Sequence, residues 1–120
     1  MSYVFAVDLF NGKEVPTGMH DITVEIVLDN GKRVTSQPLD NDTYRGHSQI
    51  RMYDELAVIN LPPRQFVRKE LRGGFGTEVA SALVSGKWRR MEFVGEFPRR
   101  PIFGVLGSKT YRKTITKPRD

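Results

Sequence analysis

Apolar and polar residues alternate with a period of two through most of the chain, which places successive side chains on opposite faces of a strand. The pattern is plainest over residues 21–28, where Ile22, Val24, Ile26 and Leu28 share one parity and Thr23 and Glu25 the other. Asp29-Asn30-Gly31 then turns the chain into residues 32–37, so a β-hairpin is expected there. Residues 3–10 are β-branched or aromatic on both parities, with only Asp8 charged, and predict a strand covered on both faces. Asn11-Gly12 suits a two-residue hairpin turn, and Pro16 cannot donate to a ladder; together they predict a short return strand over residues 13–15. Residues 38–47 are turn-forming throughout and read as a surface loop. Alternation resumes over residues 48–53, and residues 56–59 read as a buried apolar run.

Helical character is expected only after Pro62-Pro63, with Asn60 as cap and Gly73-Gly74 as stop. A second short helix is predicted from Glu78 to Ser85, capped by Thr77, ended by Gly86, with Val79, Ala82 and Leu83 facing the core. From Trp88 the strand pattern returns, with Met91, Phe93 and Phe97 on one parity and Arg90, Glu92 and Glu96 on the other. Residues 102–106 form a further apolar strand. The fold class that follows is mainly β: an antiparallel sheet, sandwich or barrel of about seven strands, with a helical excursion at about 62–85. Residues 1–108 read as a single β-rich domain and residues 109–120 as a basic C-terminal arm.

Composition narrows the options. The 120-residue chain is 28% charged and 38% hydrophobic, as a globular domain should be. No apolar stretch approaches the ~20 residues of a membrane helix. Asp8 interrupts the N-terminal apolar run, which therefore reads as a strand and not as a secretion signal. With no cysteine there is no disulfide framework and no thiolate chemistry. A non-secreted location, cytoplasmic or within an assembled particle, is expected.

Charge changes the picture further. The net +5 conceals an acidic first half, with five bases against nine acids in residues 1–60, and a basic last third, with ten bases against three acids in residues 86–120. Catalytic chemistry finds no foothold. His20 and His47 lie beside turn residues and read as surface histidines; a metal site would need both to converge with Asp21 or Asp42. Asp40-Asn41-Asp42 lacks the glycine and glutamate of a calcium loop, and no serine sits in a nucleophile elbow. Neither enzyme activity nor a metal or cofactor is expected.

Two basic regions are the binding candidates. Arg64, Arg68 and Arg72 recur every four residues, on one face of the predicted helix, just before the glycine-rich segment 73–77, whose backbone N–H groups could receive an anion. In the last third, Lys87, Arg89 and Arg90 flank Trp88, Arg99 and Arg100 lie between Phe97 and Phe103, and Lys109, Arg112, Lys113, Lys117 and Arg119 surround Tyr111. Phe93 and Phe97 are assigned to the core, while Tyr111 and the tail bases have no evident core to join. The expected function is that of a non-catalytic interaction or assembly subunit, of a virus particle or another large complex. Its basic region would dock onto an acidic protein partner or onto like subunits. The alternative is sequence-tolerant binding of DNA or RNA through the same residues.

Overall fold

The computed structural model describes residues 2–42, 45–47, 50–102 and 105–115. Eleven elements follow one another: β1 (Ser2–Phe10), β2 (Thr17–Leu28), β3 (Arg33–Ser36), β4 (Leu39–Asp40), β5 (Arg45–His47), β6 (Ile50–Met52), β7 (Ile59–Leu61), β8 (Phe66–Gly74), α1 (Thr77–Val84), β9 (Trp88–Ile102) and β10 (Val105–Ile115). Two antiparallel sheets carry the architecture. The smaller has the order β1-β8-β4; the larger has the order β10-β9-β2-β3, with β7 paired to the start of β2. β5 and β6 form a separate hairpin.

The sheets meet through alternate residues. Val7 and Leu9 of β1 and Leu71 of β8 pack against Met19 and Ile22 of β2 and Phe93 of β9. A second cluster joins Val24, Ile26 and Leu28 of β2 with Trp88 and Met91 of β9, and Phe75 and Val79 close it from α1 and the turn before it. Helix α1 therefore plugs one end of the sandwich with a single apolar stripe. It stops at Gly86, whose φ of +71° is a left-handed conformation open to glycine without a Cβ penalty.

The mainly β class and the 21–37 hairpin are present, with Val24 opposite Ser36 and Val27 opposite Arg33. Other expectations are corrected. No β1 hairpin forms at Asn11-Gly12: β1 pairs with β8, and the chain crosses to the other sheet before β2 begins. Asn11 makes that crossing, because its Nδ2 donates to the carbonyls of Val15 and Leu61 and its Oδ1 accepts from the Lys13 amide. β1 is covered on one face only; Val4 and Phe10 are exposed on the other. The loop expected at 38–47 contains β4, which adds to the edge of β8.

The largest correction lies at residues 66–74, predicted helical and found as strand, so the helical excursion shrinks to Thr77–Val84. A spacing of four residues is even, so Arg68 and Arg72 share a strand face as readily as a helix face. Nine residue pairs with β1 then decide the conformation. Residues 109–115, read as the root of a separate arm, continue β10 and pair with β9 from Phe97 back to Met91.

Candidate functional site

The outer face of the larger sheet carries an unusual cross-strand arrangement. Glu25 of β2 lies directly opposite Glu92 of β9, and both residues are buried, at 8% and 6% exposure. Like charges in register repel, by roughly 0.2–1 kcal/mol even at solvated positions. Three guanidiniums resolve the conflict. Arg33 of β3 pairs with Glu25. Arg90 donates through Nε to Glu92 at 2.6 Å, and Arg112 of β10 lies between the two carboxylates, 3.4 Å from Glu25 and 3.6 Å from Glu92. The hydrogen bond from Arg90 holds the Glu92 carboxyl below the usual carboxylate range; burial opposes it, and the charge of Arg112 adds to it.

Strand alternation puts these five side chains together. Arg33 and Arg90 flank Val27 in one cross-strand row, and Arg112 is the register partner of Val94 in another. Both valines are buried although they point away from the core, and long arginine stems are the neighbours in position to cover them. The five charged residues line an open depression of about 570 Å³. Three cations against two anions leave a surplus positive charge, carried by guanidiniums that remain 43–50% exposed. Each guanidinium has five N–H donors, and the carboxylates use only some of them. The cluster is able to hold an anion from solvent on donors whose positions are already fixed.

The remaining sequence candidates disperse. Arg64 lies in a turn before β8 and pairs with Glu14 at 3.3 Å. Arg68 pairs across to Asp8 at 3.4 Å, and Arg72 lies over the Tyr53 ring, 4.2 Å from its centroid. These three do not form one receptor. Arg89 donates to the Asp29 carbonyl at 2.7 Å. Lys87, Lys109 and Lys113 are exposed and engage no ion pair among the described residues. Tyr111 does join a core: it meets Phe93 and Phe97 edge-on, with centroids 6.4 and 6.1 Å away. The backbone of Arg99 and Arg100 belongs to β9, but their side chains, with all of Lys117 and Arg119, lie outside the described residues.

Packing accounts for Gly73 in segment 73–77, whereas a Cβ on Gly76 would meet nothing within 4 Å. A Cβ on Gly73 would run into the Tyr3 ring, its register partner, and the Gly74 carbonyl accepts from Ser36 Oγ at 2.8 Å. Among the described residues, His20, Asp21 and Glu96 bring donor atoms within 4.8 Å of one another. A bulge with Asp21 at φ +50° turns that side chain toward His20, whose Nδ1 is 2.8 Å from the Asp21 carboxylate. The His47 side chain lies outside the described residues. Glu25, Glu92 and Arg33 were absent from the sequence candidates. Their signal was the placement of charges on the polar parity of two strands, and it becomes readable only once β2 is known to pair with β9.

Two facing antiparallel sheets with a short helix at one end define the class as a β-sandwich. The model of the YopI Ig-like domain matches residues 1–86, and the chain belongs to that family. No curated protein and no solved structure matches the chain.

Proposed function

We propose that this domain is a non-catalytic interaction module, a subunit of a larger assembly, that docks onto an acidic protein partner through the outer face of its larger sheet. The observation that carries the reading is the set of three arginines held by two buried glutamates. Guanidiniums fixed in advance lose little conformational freedom when a carboxylate arrives, and paired N–H donors suit carboxylates better than an ammonium does. Arg89 and Lys87 add positive charge at one end of β9. Nucleic-acid binding is the second reading. The packing of Tyr111 against Phe93 and Phe97 weighs against it, since the tail aromatic is not free to stack on a base.

Anisotropy titrations test the proposal, using labelled oligoglutamate peptide, single- and double-stranded DNA and RNA at two salt concentrations. The expected result is salt-sensitive binding of the peptide that weakens in Arg33→Gln. Preference for DNA or RNA at matched charge moves the second reading to first place. A chain that binds none of the probes at low salt overturns both.

A further inference from the structure

At the end of the sandwich away from the arginine face, the turn between β1 and β2 approaches the β9–β10 pair and leaves a cleft of about 300 Å³. We infer that this cleft binds an apolar monocarboxylate: a compact, preferably aromatic body bearing one carboxylate. The cleft shares no residue with the arginine cluster, so the inference stands independently of the proposed function.

Three observations point to this ligand chemistry. First, the walls are apolar: Phe10, Leu61, Phe97 and Pro98 line the cleft. Phe10 is half exposed and lies against Phe66, with centroids 4.5 Å apart, so an aromatic surface is already presented to solvent. A ring entering there gains stacking and edge contacts with sites already in place. Second, the charged residues of the lining are Lys13 and Lys109; the lining holds no carboxylate, the neighbouring Glu14 is paired with Arg64, and neither lysine engages an ion pair among the described residues. Two unneutralised ammoniums over an apolar floor favour an anion attached to a hydrophobic body. They disfavour a cation, and a bare inorganic ion would leave the walls unused. Third, the cleft is preformed. Asn11, almost fully buried, makes three hydrogen bonds that fix the turn. The amide of Asn11 donates to the Gln65 carbonyl and the Arg64 amide to the Lys13 carbonyl, tying the same turn to the start of β8. Thr17 adds a hydroxyl to the lining. The volume is at the small end for ligand pockets, which restricts the occupant to a single residue or a molecule of that size.

The same chemistry occurs in a free aromatic acid and in the C-terminal residue of a peptide. The test is a ¹⁵N-edited NMR titration of the full chain with 3-phenylpropionate, its amide, acetate, and the tripeptide Gly-Gly-Phe with either a free or an amidated C-terminus. Saturable shifts are expected at Gly12, Lys13, Thr17 and Lys109 with 3-phenylpropionate, and binding roughly tenfold or more weaker with its amide and with acetate. The double substitution Lys13→Gln/Lys109→Gln should abolish the preference for acid over amide. Arg33→Gln should leave it unchanged. Both lysines are exposed, so the double variant should keep the wild-type spectrum elsewhere. Binding of the free-ended tripeptide, lost on amidation, assigns the source to a chain end; binding of phenylpropionate alone assigns it to a small molecule. Equal binding of acid and amide, shifts confined to the arginine face, or no saturable shift with any probe overturns the inference.

Discussion

At Gly73 and Gly95 the chain leaves no room for a methyl group: the first is blocked by the Tyr3 ring, the second by the thioether of fully buried Met19. Gly73→Ala and Gly95→Ala should each cost about 1–3 kcal/mol in urea unfolding, as overpacked cores do. Tyr3 itself titrates above its ordinary range because burial disfavours the phenolate, with the Ser36 hydrogen bond opposing. The folded state thus keeps its proton where the unfolded chain has lost it. The Tyr3 contribution is complete below about pH 10 and fades as the pH rises through the folded value. Tyr3→Phe should flatten the alkaline limb of a melting-temperature profile. Glu92 acts in the opposite direction. Its depressed folded value gives stability above the ordinary glutamate range that is lost as the pH falls through the folded one, so Glu92→Gln should flatten the acid limb. Arg112 is shared by both carboxylates. Arg112→Ala should cost about 1–3 kcal/mol, and a double-mutant cycle with Glu25→Gln should show non-additivity. None of these contacts was legible in the sequence, because each depends on which strands become neighbours. The inward parity of Met91 and Phe93 was legible, because it depends only on alternation within one strand.

The two sheets end differently at the level of the elements. β10, an outer strand of the larger sheet, presents Lys109, Arg112 and Lys113, and charged edges resist pairing with a stray strand. β1, an outer strand of the smaller sheet, has Asp8 as its only charged residue, and it exposes Val4 and Phe10. Val4→Lys should lower light scattering on prolonged incubation at high concentration while leaving the melting temperature nearly unchanged. Helix α1 was half legible: its stop at Gly86 follows from local chemistry, but the expected cap Thr77 is the first helical residue, and Gly76 occupies the cap position without a side-chain bond. The segment before it was not legible, because an even spacing of arginines satisfies both periods and only the partner strand distinguishes them.

For the whole molecule, the acidic first half and basic last third of the sequence do not form two poles. Pairing of β2 with β9 and of β1 with β8 sets acids beside bases, Glu25 near Arg90 and Arg112, and Asp8 beside Arg68. The charge asymmetry in the sequence suggests a surface reserved for a partner, but much of it is consumed inside the domain. What remains for a partner is the surplus on the arginine face and the lysines that engage no acid.

The same long-range pairing governs how the chain reaches its fold. β1 pairs with β8 as far as Ser2 with Gly74, and β2 with β9 as far as Leu28 with Trp88. Both contacts require large loops to close before any reward is felt, so folding belongs to the millisecond-to-second regime of β-sandwiches. On a ribosome adding roughly 5–20 residues per second, β1 and β2 wait on the order of seconds for their partners to be made. During that interval the apolar faces of both strands are open to whatever else is nearby.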